Sequence, residues 1–125
     1  MKTNFDSSQP IFQQIAEMIE DDILNGTYQE GDQIISMAQF ASTFQINPAT
    51  AVKGIGLLVG EGILYKKRGL GMYVAEGAKQ TIMGKRRIRF YDEMVSKLLE
   101  EAEKLGITNE DVIEMIKERT GADRK

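Results

Sequence analysis

A mainly α fold with a small β-hairpin is predicted by three observations. Apolar residues recur at helical spacing in five stretches, a run of strand formers flanks a glycine turn near position 70, and capping residues stand where the helices should begin. The chain has 125 residues, 42% of them hydrophobic, which suits one modest core and an appendage. We expect a main domain over 1–77 and a two-helix segment over 78–125.

The first helix is expected over 10–24, where Ile11, Ile15, Met18, Ile19 and Ile23 share a face and Pro10 suits the first turn. Its other face carries Glu17, Glu20, Asp21 and Asp22. Asn25-Gly26 ends it, and 28–32 reads as a loop turned at Gly31. Ser36 and Gln39 form a capping-box pattern ahead of Met37, Phe40, Ala41 and Phe44, so a short second helix begins at Met37. A turn of three or four residues leads to Asn47-Pro48, a side-chain cap and then the imino acid whose missing N–H would be unpaired there anyway. The third helix runs on toward Gly62, with Ala51, Ile55, Leu58 and Gly62 inward and Thr50, Lys53 and, further round, Ala49 and Val52 outside. Val52 either faces the groove, where it would meet a thymine methyl, or is buried at the helix edge. Gly54, Gly56 and Gly60 each cost ~1 kcal/mol against alanine, so tertiary packing must outweigh propensity.

Residues 63–65 and 72–74 read as a two-stranded ribbon joined by Gly69-Leu70-Gly71, and such a ribbon needs helices beneath it. Glu76-Gly77-Ala78 reads as a linker. A long helix over 84–105 then carries Ile88, Tyr91, Val95, Leu98, Leu99, Ala102 and Leu105 at steps of three and four, and Gly106 stops it. Thr108 with Asp111, and Ile107 with Val112, cap and staple a last helix through about Arg119 that also presents Ile116. The apolar stripe of this hairpin must be covered, either by folding back or by a second copy; we favour the copy, which makes the stripe a dimerisation surface.

Charge points to the partner. Residues 1–61 carry two basic and eight acidic side chains, 62–91 eight basic and one acidic, and 92–125 six basic and ten acidic, within a net charge of -3. The cations gather on the hairpin, as Lys66, Lys67 and Arg68, and after it, as Lys85, Arg86, Arg87 and Arg89. Four cations near the expected start of the long helix, where the helix dipole disfavours them, either meet an anion such as phosphate or form a solvated helix end screened by salt. Two short helices, a tight turn and a basic hairpin together read as a winged helix-turn-helix that binds double-stranded DNA. The residues expected at DNA are Ser36, Asn47, Pro48, Ala49, Thr50, Val52, Lys53, Lys66, Lys67, Arg68 and Gly69, with Lys85, Arg86, Arg87 and Arg89 as further phosphate contacts. The helix glycines serve either close packing or close approach to the DNA backbone. The alternative is a winged module that binds another protein without specific DNA recognition.

With no cysteine and no histidine, disulfides, thiolate and imidazole metal sites, cysteine nucleophiles and histidine bases are excluded. Gly69-Leu70-Gly71 lacks the strand-to-helix context of a phosphate-handling loop. No enzyme and no cofactor is expected. No apolar run reaches the ~18 residues of a membrane span and MKTNFDSSQ has no apolar centre, so a cytoplasmic location is expected. A small-molecule effector stays open, since no residue marks one.

The residues resemble the GntR family of bacterial transcription regulators, and within it the short YtrA-type branch. The likeness rests on Pro10-Ile11-Phe12-Gln13-Gln14-Ile15, Ile23-Leu24-Asn25-Gly26, Gly31-Asp32, Asn47-Pro48-Ala49-Thr50, Glu61-Gly62-Ile63-Leu64 and Arg68-Gly69-Leu70-Gly71-Met72-Tyr73-Val74. It implies a winged helix, dimerisation through the C-terminal helices and repression of an operon, often one encoding an ABC transporter. The family often has an arginine where this chain has Ala38, and its wider membership has arginines where this chain has Pro48 and Val52. That departure shifts the burden onto Thr50, Lys53 and the wing.

Overall fold

A computed structural model describes residues 9–121; the N-terminal stretch read for a signal sequence lies almost wholly outside them. The chain divides after Gly84 into two compact units.

The first unit is built on α1 (Ile11–Leu24), α2 (Met37–Phe44) and α3 (Pro48–Gly60), followed by strands β1 (Leu64–Lys67) and β2 (Gly71–Val74) and the start of α4 (Ala78–Arg89). Ile15 and Ile19 of α1, Phe40 of α2 and Ala51, Ile55 and Leu58 of α3 are completely buried and form the centre of the core. At Gly54 α3 lies close against α1: a Cβ there would lie 2.7 Å from the Phe12 carbonyl oxygen and 3.0 Å from Ile15 Cβ. Close packing is therefore what this glycine serves. Gly56 and Gly60 have open space instead.

Helix ends are closed locally. At the end of α3, Gly62 adopts φ 76°, its N–H donates to the Val59 carbonyl, and Ile63 N–H reaches back to the Leu58 carbonyl at 2.9 Å. This left-handed cap turns Ile63 into the core beside Leu58. Gly62 thus lies beyond the helix rather than on its inward face. Gln45 does the same at the end of α2, with φ 54° and Ile46 N–H bonded to the Ala41 carbonyl; it is the one non-glycine with positive φ among the described residues. Three residues, Gln45, Ile46 and Asn47, make the turn between α2 and α3.

Other features of this unit were not visible in the sequence. Glu20 and Asp22, on the acidic face of α1, are 1% and 4% exposed. Burial pushes the Asp22 carboxyl above its ordinary range, with Asp21 adding to the rise and the bond with Asn25 opposing it. The strands reach further into the basic turn than expected and include Lys66 and Lys67. Finally, 31–34 is an extended edge along β2, not a simple loop: Gly31 N–H donates to the Val74 carbonyl, Val74 N–H to Asp32 and Ile34 N–H to Met72, all at 2.8–2.9 Å.

Ala78 and Ile82 are completely buried in the first unit's core, so α4 begins six residues before the expected Gly84 and the division falls after Gly84 instead of Gly77. Ala78 is no linker residue. Because the helix starts there, Lys85, Arg86, Arg87 and Arg89 stand away from its N-terminus, three of them in the last turn of α4. The dipole penalty that called for an anion is gone.

The second unit contains the end of α4, a π-helical segment Phe90–Val95, α5 (Ser96–Lys104) and α6 (Asn109–Thr120). Its interhelix turn repeats the left-handed cap at Gly106, with Ile107 N–H on the Ala102 carbonyl at 2.9 Å. Thr108 and Asp111 complete a reciprocal capping box, Asp111 N–H donating to Thr108 Oγ1 and Thr108 N–H to Asp111 Oδ2. Ala102 and Val112 are buried inside this hairpin, so they hold it together and do not belong to an open dimerisation face. The π turn alters the expected stripe. The segment Phe90–Val95 interrupts the expected helix, and because an i→i+5 turn takes an additional residue, the steps of three and four expected over 84–105 do not carry through it unchanged.

Candidate nucleic-acid interface

Two surfaces of the first unit carry the expected site residues, the outward side of α3 and the tip of the β-hairpin. On α3, Ala49, Val52, Lys53, Gly56, Leu57 and Gly60 are all exposed, at spacings of three and four that make one continuous face. Val52 is 50% exposed and so faces outward. Pro48 is exposed, and Thr50 is half-buried at the side of this face. A surface this thin, with one cation and two residues lacking Cβ, allows close approach to another backbone.

The start of α3 is already satisfied. Asn47 Oδ1 accepts from Ala49 N–H at 2.8 Å, and the Asn47 carbonyl accepts from Thr50 and Ala51 N–H. No backbone donor of this first turn is spare for a phosphate, while the Asn47 amide NH2 still has donors to offer. Ser36 caps α2 in the same way, accepting from Gln39 N–H at 3.0 Å. The Gln39 amide points to Thr43 Oγ1 at 3.4 Å. Lys53 is held rather than loose: its Nζ lies 4.1 Å from the centre of the Phe12 ring on α1.

On the hairpin, Lys66, Lys67, Arg68, Gly69 and Leu70 are all exposed. The pleat sends Leu64, Met72 and Val74 toward the helices, and places Tyr65, Lys67 and Tyr73 on the opposite face. Tyr65 and Tyr73 are cross-strand partners with ring centres 5.9 Å apart, and Lys67 Nζ sits 4.4 Å from the Tyr73 ring. Leu70 N–H closes the tip on the Lys67 carbonyl at 2.8 Å, with Gly69 at φ 74° in the position where such a turn needs positive φ. The hairpin tip therefore presents Lys66, Lys67 and Arg68 on a stiffened ribbon.

Of the second unit's cations, Arg87 is exposed, whereas Lys85, Arg86 and Arg89 are half-buried. Phe12, Gln33, Tyr65 and Tyr73 were not expected at the site. Phe12 and Tyr73 each lie under a cation, a pairing that sequence spacing does not encode because it joins residues 41 apart in one case. Among the described residues no group of His, Cys, Asp or Glu is placed to hold a metal ion, and no helix is long and apolar enough to cross a membrane.

Residues 11–74, more than half of the chain and the whole of the helix-turn-helix and hairpin, match the profile of "Bacterial regulatory proteins, gntR family". The chain belongs to the GntR family. Among relatives, it is 33% identical over 112 residues to the HTH-type transcriptional repressor YtrA of Bacillus subtilis, covering 90% of this chain and 85% of that protein. A GntR family transcriptional regulator from Listeria monocytogenes has a similar structure, with a TM-score of 0.74 and 30% identity over 91% of this chain and 98% of the other. S. agalactiae BusR, solved in complex with its busAB-promotor DNA, matches 78% of this chain and 53% of its own, at a TM-score of 0.54 and 28% identity. This GntR protein is thus a transcriptional regulator with a DNA-binding domain, and its relatives are regulators rather than enzymes.

Proposed function

We propose that this chain is a homodimeric repressor that binds a two-fold symmetric operator, with α3 in the major groove and the hairpin as a wing on the flanking DNA. In this reading the first domain contacts DNA and the helices after it dimerise. The observation that carries the reading is the division of labour in the first unit. A helix with a thin outward face at Ala49, Val52 and Gly56 stands in the same unit as a ribbon whose exposed tip carries three cations. The major groove admits an exposed α-helix, and phosphate affinity needs cations.

Support for a dimer comes from the second unit. Tyr91, Leu105, Met94, Phe90 and Ile116 are between 52% and 69% exposed, more apolar surface than a hairpin of this size ordinarily leaves in water. A two-fold symmetric operator would offer each copy's α3 one of two half-sites, on successive major grooves about 34 Å apart. Repression is supported by the likeness to the repressor YtrA, and DNA as the target by the promoter complex of BusR. The operon is of the kind the family resemblance implies, such as one for an ABC transporter.

Binding to the DNA upstream of the protein's own gene, against unrelated DNA of equal length at several salt concentrations, tests this. Preference for the upstream DNA is expected, and Arg68→Ala should weaken binding and reduce the salt slope by about one unit. Equal affinity for both DNAs would sink the specific regulator, and a salt-insensitive complex would sink the role of the wing.

A further inference from the structure

The tip of the hairpin is tied to the rest of the first unit by a side chain with no expected role. Gln33 Nε2 donates to the Leu70 carbonyl at 2.6 Å, across 37 residues of sequence. Its own backbone lies in the edge segment 31–34, opposite Tyr73, where the bonds from Gly31 and Ile34 and the one from Val74 anchor it on both sides. The side chain then runs along the ribbon toward the turn. Of the two polar atoms of a glutamine amide, only the nitrogen can bond a carbonyl, so the chemistry fixes which atom faces Leu70.

The neighbouring backbone is shaped around this contact. A Cβ on Gly71 would lie 2.8 Å from Gln33 Nε2, so any side chain at that position would displace the amide. Gly71 also holds φ 100°, which a residue with a Cβ rarely adopts. The Leu70 backbone is therefore held on both sides, through its N–H by the Lys67 carbonyl and through its C=O by Gln33. A two-stranded hairpin left alone is marginal in water, and its tip is the first part to fray.

We infer that Gln33 is a positioning residue for the DNA-contacting wing, fixing the Arg68-Gly69-Leu70 tip in one conformation before DNA arrives. The inference rests on the reading of the hairpin as a DNA-binding wing. Pre-ordering the tip removes a conformational cost that binding would otherwise meet, so it strengthens binding without adding a contact. Loss of Gln33 should therefore lower affinity while leaving the charge count, and with it the salt dependence, as it was.

The test uses the full-length chain with Gln33→Met, which keeps length and removes the donor, and with Gln33→Asn, one methylene too short to reach. Backbone 15N relaxation of the free protein should show the Gly69 and Leu70 amides falling from an order parameter of about 0.85 to below about 0.6. Affinity for the upstream DNA should fall about tenfold, roughly the worth of one good hydrogen bond, with an unchanged salt slope. Tip amides as rigid in both variants as in the parent would overturn the inference. So would unchanged affinity in a protein whose Arg68→Ala form does bind more weakly. If the parent itself does not distinguish upstream from unrelated DNA, the regulator reading fails, and relaxation alone then decides whether Gln33 holds the tip.

Discussion

Ile15, Ile19, Phe40, Ile55 and Leu58 of the first unit are completely buried, whereas in the second unit Ile88, Tyr91 and Leu105 are 64–69% exposed. Both units are built from amphipathic helices, so composition does not explain the difference. Geometry does. Three helices and a hairpin can surround a common centre, and each helix then finds a neighbour for its apolar side. In a hairpin, α5 and α6 have only each other within the unit, and the small Ala102 and Val112 fill what space lies between them. A layer needs a second layer, and an open groove of about 320 Å³ lined by Leu98, Leu105, Ile107, Met115 and Ile116 marks where one is wanting.

The largest expected effect lies in the closed core. Ile55→Ala should cost about 2–5 kcal/mol of stability, because the surrounding side chains come from three helices and cannot all relax into the cavity. Urea unfolding would measure it, and a loss near zero would mean that the two units do not differ as described. Next in size, Tyr91→Asp combined with Leu105→Asp should raise the dissociation constant of the proposed dimer by more than about a hundredfold, if each charge costs on the order of 1.4 kcal/mol or more in that interface. Sedimentation equilibrium over a concentration series reads this directly. The pair should leave the first unit's near-UV signal intact, and a dimer that persists would show that these side chains belong to an open surface.

The smallest effect sharpens the comparison from inside the core. Asp22 has its carboxyl raised above the ordinary aspartate range by burial, so the charged form is disfavoured in the folded state. The stability linked to its proton is present at low pH and lost as pH rises through the raised value. Asp22→Asn, which mimics the neutral form, should therefore raise Tm at pH 7, and the gain should fade as pH is lowered into the usual aspartate range. A gain independent of pH would assign the effect to packing instead.

Much of the chain could be read in advance. Asn47-Pro48, Ser36 and Thr108 each cap the helix they were expected to begin, since a cap is an affair of two to four neighbouring residues. The exposed cations of the wing were legible because charge clusters in sequence stay clustered across a tight turn. The fate of Glu20 and Asp22 was not, because a carboxylate on a helix shows nothing of what packs over it. Nor was the start of α4: Ala78 reads as linker until the core that receives it and Ile82 is in place.

By itself the sequence determined the helix caps, the tight turn between α2 and α3, the basic hairpin and the family, all of which depend on residues within a few positions of one another. The single long helix expected over 84–105 is instead α4, a π-helical segment and α5. The tertiary structure alone decided that Gly54 meets the Phe12 carbonyl, that Lys53 lies over Phe12, that 31–34 pairs with β2, and that Gln33 reaches the wing tip. Those contacts join segments tens of residues apart, and their geometry comes into being when the core closes.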